Sequence, residues 1–193
     1  MNTALLVIDF INNIVSANGK TPSCAAHAQA KQAIQKANIA MQFARDNHWL
    51  VLPIKIGFSA NYGEQPKNSP IFGKANQFQA LSLGQWGTEF HSDLAVNAAD
   101  CVITKHRVSP FYGTPLDLIL RNNAIKQVVV CGVSTVWAIQ AAVREGHDRD
   151  YAMVILEDAC AAANEEEHQA SLVQLSRIAL ITTTHELASL LTV

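Results

Sequence analysis

Two residues of opposite charge end apolar runs that lie far apart in the chain. Asp9 closes ALLVI, residues 4–8, and Lys105 closes CVIT, residues 101–104. A carboxylate at the end of an apolar strand must be paired, face a site, or be neutral. It could equally cap a helix, and a lysine at a strand tip could be no more than a solvated end. Held at equivalent tips of one sheet, the two would form a working pair. The lysine keeps its charge beside the carboxylate and can offset negative charge that develops in a reaction. A third element is CGVSTVWAIQ, residues 131–140. Its pattern predicts a strand running into Gly132, a turn through Val133-Ser134, and a helix capped by Thr135. Backbone N–H groups at such a helix start form a cradle for an anion or oxyanion. A cysteine at position 138, in the first turn, would have its thiolate stabilised there. The residue is Ala138, which cannot act as a nucleophile.

Other chemistry-bearing residues offer less. The four cysteines, Cys24, Cys101, Cys131 and Cys160, form no CxxC pair and match no compact zinc-ligand spacing. Cys131 is expected to be a core thiol at a strand end, and the other three to be structural or incidental. His91 stands alone. His106 follows Lys105 directly and should point away from it. The HDRD run at 147–150 fits a solvated helix end. No metal and no cofactor are expected. Arg107 could meet a substrate carboxylate in bidentate fashion, or pair with a surface acid. The aromatics Phe10, Phe58, Tyr62, Phe72, Trp86, Phe111, Tyr112 and Trp137 fall near strand tips or in one long irregular stretch. Some must be core. Phe10, Phe111 and Trp137, with Val133, Ser134 and Arg107, are the candidates to line a mostly apolar substrate pocket.

The elements that would position these residues alternate between apolar runs and helical patterns, which argues for parallel β-α-β units. Strands are expected at Ala4–Ile8, Leu50–Ile56, Cys101–Thr104, Gln127–Cys131, Ala152–Leu156 and Ile178–Thr182. A long helix is predicted over 25–47, where Ala30, Ala33, Ile34, Ala37, Ala40, Met41 and Ala44 share one face. Further helices should start after Thr114, with Thr114 as N-cap and Pro115 at the first helical position, span 135–145 with Gly146 as the C′ residue, cover 165–176, and begin near Thr184. Residues 57–100, rich in Gly, Pro, Asn and Ser, are too long for a plain connection. They predict an excursion over the site. Ligands of such sheets bind beyond the carboxyl ends of the strands. The polar residues expected there are Asp9, Lys105, the Gly132–Thr135 turn and Glu157-Asp158.

The bulk properties narrow the partners. A chain of 193 residues, 49% hydrophobic, fits a single α/β domain, 1–193, with a sizeable core. A net charge of -2 without a basic block argues against nucleic acid and anionic membranes. The start MNTALLVIDF lacks a signal-peptide pattern, and no apolar window is long enough to span a bilayer. The expected location is cytoplasmic and the expected partner a small-molecule substrate.

Taken in order, ALLVIDFINN (4–13), CVITKHRVSPFYGTPLDLIL (101–120), QVVVCGVSTV (127–136) and REGHDRDYAMVILED (144–158) resemble the successive motifs of the isochorismatase-like hydrolases. Nicotinamidase, N-carbamoylsarcosine amidohydrolase and isochorismatase belong to that superfamily. The resemblance spans nearly the whole chain. It implies a Rossmann-like fold with a mostly parallel six-stranded sheet and helices on both faces, and a homo-oligomer, dimer or tetramer. It implies that Asp9 and Lys105 are catalytic, that Ala138 stands where most relatives carry the nucleophilic cysteine, and that the Val133-Ser134 peptide is cis. Nicotinamidase-like members hold zinc through histidines after strand two. The corresponding stretch here, KIGFSANYGEQP, has none. True isochorismatases also lack the thiol: they protonate a vinyl ether, and water attacks the oxocarbenium. The chain is therefore expected to be a hydrolase of a small carboxylate or vinyl-ether metabolite. The alternatives are an amidohydrolase whose cysteine has been substituted, or a binding homologue that has lost turnover.

Overall fold

In the computed structural model, which describes residues 2–98 and 100–191, six parallel strands form one sheet in the order β3-β2-β1-β4-β5-β6. The strands are β1 (Thr3–Ile8), β2 (Leu50–Ile56), β3 (Ile103–Lys105), β4 (Gln127–Val133), β5 (Ala152–Ala161) and β6 (Leu180–Thr182). Every residue of β1 and β4 is buried. This burial on both faces explains why they read as unbroken apolar runs. The order reverses direction between β1 and β4. With right-handed crossovers, that reversal puts the β1–β2 helix and the β4–β5 helix on opposite faces. It also opens a crevice at the carboxyl ends of β1 and β4.

The helices are α1 (Asn12–Val15), α2 (Ala25–Ala30), α3 (Ala33–Asp46), α4 (Leu116–Asn122), α5 (Gln140–His147) and α6 (Glu165–Leu175), with 3-10 turns at Trp86–Thr88 and Thr184–Leu191. Ala33, Ile34, Ala37, Ala40, Met41 and Ala44 form the buried stripe of α3, as their spacing predicts. Among the described residues no helix is long and apolar enough to cross a membrane.

Several local expectations are corrected. The helix expected over 25–47 is two helices, because Gln32 adopts a left-handed φ of 53°. This break turns Lys31 toward Glu157, 3.2 Å away. The α4 helix starts one residue late, at Leu116, so its N-cap is Pro115 and not Thr114. Thr114 Oγ1 still accepts from the Leu116 N–H at 3.2 Å. Ser134, not Thr135, caps the helix after β4: its Oγ accepts from the Val136 N–H at 3.3 Å. Gly146 lies inside α5 instead of ending it. A Cβ there would come within 2.5 Å of Met153 Sδ, so the glycine permits close packing on β5. β5 continues through Glu157-Asp158 to Ala161, so Cys160 is a strand residue. β3 excludes Cys101 and Val102 but includes Lys105.

Residues 57–98 contain little regular structure, but they have a core of their own. Phe58, Tyr62, Phe72, Ala75, Ala80 and Leu81 pack together with Ile11 and Ile56. Phe58 sits at the centre, within 5.7 Å of the Phe72 ring, and pairs with Ser82 in an isolated bridge.

Candidate active site

Asp9 directly follows β1 and has a left-handed φ of 59°, a region that Asp enters more readily than most residues. Its N–H donates to Ile54 O at 2.8 Å, and its Oδ1 accepts from the Ile56 N–H at 2.8 Å. Both contacts anchor it to the end of β2. Oδ2 lies 2.7 Å from Lys105 Nζ, and the two side chains are only 5% and 1% exposed. Lys105 Nζ also donates to Val108 O at 2.8 Å. An ammonium has three N–H groups, so one remains to face the cavity that Lys105 lines.

Burial raises the Asp9 carboxyl above its ordinary value, and this outweighs the opposing pull of Lys105 and of the Ile56 N–H. A carboxyl in such a balance can hold a proton at a higher pH than a solvated one.

The third wall comes from the end of β4. The Val133-Ser134 peptide is cis, as the resemblance implied. Residues Thr135–Ile139 then form a π-helical turn. Gly132 makes this route possible. Its φ is +132°, and a Cβ would fall 2.1 Å from Ile8 O, so β1 and β4 touch backbone to backbone just below the site.

These elements enclose a cavity of about 120 Å³ whose walls include Asp9, Lys105, Val133, Ser134, Trp137 and Ala138. All six were singled out from sequence. Phe10, Phe111 and Arg107 are not on that wall. Phe10 is fully buried. Phe111 stacks on Tyr151, 6.3 Å between centroids, and the Arg149 guanidinium lies over the Phe111 ring, 5.1 Å from its centroid. Arg107 donates from Nη1 to the carbonyls of Glu64 and His106, at 2.8 and 2.7 Å. Glu157 and Asp158, expected at the crevice, instead face Lys31 and Lys36.

Other wall residues were not assigned to the site one by one. Ile71, Phe72 and Leu81 come from the excursion, of which only Phe72 stood out as an aromatic, and Thr21, Ser23 and Cys24 come from the segment before α2. Cys24 is the notable one. Its thiol is pushed up by burial and lies close enough to Asp9 for that charge to raise it further. Nothing in PSCAAH marks it out, because its neighbours in space come from other strands. Among the described residues no cluster of three or more His, Cys, Asp or Glu side chains could hold a metal ion.

The Isochorismatase domain model matches residues 3–186. The uncharacterized isochorismatase family protein YecD of Escherichia coli O157:H7 is 30% identical over 193 residues, covering 98% of this chain and 96% of that protein. Ureidoacrylate amidohydrolase RutB of Klebsiella pneumoniae is 29% identical over 170 residues, covering 81% of this chain and 72% of that protein. Among solved structures, an isochorismatase family protein from Desulfovibrio vulgaris shares the fold with a TM-score of 0.88 at 19% identity, over 100% of this chain and 99% of that one. An all-parallel sheet in this order, a crevice holding an Asp–Lys pair, and a domain match across residues 3–186 lead to one conclusion: the chain belongs to the isochorismatase family of hydrolases.

Proposed function

We propose that this hydrolase works without a thiol at position 138, on a small carboxylate or vinyl-ether metabolite. Asp9 is the proton-transferring group and Lys105 its partner. One observation carries the reading: the Asp9–Lys105 pair, 2.7 Å apart, lines the same small cavity as Ala138. A general acid must be protonated before it can donate, and desolvation raises the Asp9 carboxyl despite Lys105.

In this mechanism Asp9 gives its proton to the terminal carbon of the vinyl ether, leaving an oxocarbenium ion. Water adds its oxygen to the cationic carbon and returns a proton to the Asp9 carboxylate. The hemiketal then collapses to an alcohol and a carbonyl compound. The free N–H of Lys105 is available to a substrate carboxylate, and the apolar walls keep bulk water out.

The test is turnover of an enolpyruvyl ether followed by proton NMR, in the natural protein and in Asp9→Asn. The variant keeps the shape and loses the proton carrier, so its rate should fall by about a hundredfold or more. Activity retained within about tenfold would remove Asp9 from the role.

A second reading, amide hydrolysis through an acyl-enzyme, is favoured by one observation: Cys24 brings a thiol to the cavity wall. Cleavage of an amide such as a ureido acid by the natural protein, abolished in Cys24→Ser, would select that reading over the first.

A further inference from the structure

Two walls of the cavity are tied to a single histidine that does not line it. His168, on α6, is fully buried. Its Nδ1 lies 2.8 Å from Thr135 Oγ1. Thr135 is itself fully buried and opens the turn that carries Trp137 and Ala138. The other ring nitrogen, Nε2, lies 3.2 Å from Lys31 Nζ and 3.4 Å from Glu157 Oε2. Lys31 is the C-cap of α2, whose N-cap is the cavity residue Cys24.

Two neighbours compete at Nε2. An ammonium only donates and a carboxylate only accepts, so Lys31 at 3.2 Å calls for a lone pair there and Glu157 at 3.4 Å for a hydrogen. Lys31 already donates to Glu157 at 3.2 Å, and the shorter contact favours the lone pair, which puts the hydrogen of the neutral ring on Nδ1, toward Thr135 Oγ1. In this form one imidazole bridges the 134–138 turn and the end of α2. A protonated ring carries hydrogens on both nitrogens. It could then no longer accept from Lys31, and two cations would compete for Glu157.

The other charged groups nearby do not replace this link. The His27 ring stands edge-on at 5.7 Å from His168. It is already bonded to Glu165 Oε2 at 2.9 Å and accepts from the Ala162 N–H at 3.2 Å. Glu157 is shared with Lys31 at 3.2 Å.

We propose that His168 is a positioning residue. In its neutral form it clamps Thr135 and Lys31 together and so holds two walls of the Asp9 cavity in register, and protonation releases the α2 wall. Burial, and after it the Lys31 charge, hold the imidazole below its ordinary value of 6.5, so the clamped form prevails at neutral pH. The proposal rests on the Asp9 cavity being the working site only for its functional meaning. Its test measures no turnover, so its failure and that of the reading above are separable.

The experiment is hydrogen exchange read by mass spectrometry on the full chain, with peptides covering 24–32 and 133–140 and a reference peptide from β1. His168→Ala should raise exchange in both test peptides by about tenfold and leave β1 unchanged. His168→Asn places an amide where Nδ1 was. It should restore protection to 133–140 but not to 24–32. In the natural protein, exchange of 24–32, corrected for its intrinsic pH dependence, should step up as pH falls below 6.5. The step should be absent from His168→Asn. Equal exchange in the Asn and Ala variants, or a rise spread evenly over all peptides, would overturn the proposal and leave His168 as core packing. If His168→Ala does not fold, the contrast between the two peptides in His168→Asn decides alone.

Discussion

Replacing Lys105 with methionine removes the ammonium that pairs with Asp9 while keeping most of the side-chain volume. The carboxylate left behind is 5% exposed and keeps only the Ile56 N–H as a partner. Removing one member of a buried pair in this way costs about 3–5 kcal/mol. For a domain of this size each kcal/mol shifts Tm by about 2–4 °C, so the expected fall is about 6–20 °C. The deficit should depend on pH, and its sign follows from the direction of the Asp9 shift. Burial raises the folded carboxyl above its ordinary 3.8, and Lys105 is the first influence opposing that rise. An acid with a raised folded value stabilises the fold below its unfolded value and loses that stabilisation as pH rises through the folded one. Without Lys105 the folded value climbs further. The variant should therefore lie closest to the natural protein at acid pH, at and below the ordinary 3.8, and fall behind it toward neutrality. The double variant Asp9→Asn/Lys105→Met, with no buried charge, should recover most of the loss at neutral pH. Urea unfolding of the natural protein, the two single variants Lys105→Met and Asp9→Asn, and the double variant, at three pH values, measures all of this. A loss below about 1 kcal/mol, the size of a surface pair, or a deficit that ignores pH, would refute the argument that the pair is desolvated.

Ala138→Cys should create a thiol that iodoacetamide labels faster than any native cysteine, because it would share a cavity with Lys105 and sit in the first turn after β4. Cys131 and Cys160 are fully buried and their thiols are raised, Cys160 to about 12, so a new thiol as inert as Cys131 would place residue 138 outside the site. Gly132→Ala should cost more than about 4 kcal/mol or prevent folding, since its Cβ would sit 2.1 Å from Ile8 O at a φ of +132°. A soluble variant with a natural melting temperature would contradict the close approach. Glu64 is held at about 2, below its usual 4.5, chiefly by the Ser59 hydroxyl and then by backbone N–H groups. Its contribution to stability is present above 4.5 and lost as pH falls toward 2, so Glu64→Gln should flatten that part of an acid-unfolding curve.

The sheet and most of the site could be read from sequence because both rest on local signals. Strands buried on both faces leave unbroken apolar runs, and a charge at the end of such a run stands out, as Asp9 and Lys105 do. What escaped depends on partners from elsewhere in the chain. Nothing in QAKQA breaks a helix. Gln32 turns left-handed where Lys31 meets Glu157 and His168, two residues more than a hundred positions away. Glu157-Asp158 reads as a strand exit, yet Lys31, Lys36 and Thr184 satisfy both acids within β5. Arg107 and Phe111 have the residue types of a binding site, but their directions are set by Glu64, Tyr151 and Arg149. Cys24 shows the reverse: an unremarkable position, at the N-terminal end of α2, that lies on the cavity wall.

Trp137 stands on the cavity wall and is still 56% exposed. Its indole therefore faces water and whatever enters beside Asp9 at the same time. A ligand that displaces that water should move the emission to shorter wavelength. Trp49, 8% exposed, should contribute a constant background, and the half-exposed Trp86 can be silenced as phenylalanine. The protein thus carries its own optical probe on the wall of the candidate site. Candidate compounds can be ranked by the colour of that emission before any product is formed, so the substrate search can begin with binding and proceed to chemistry.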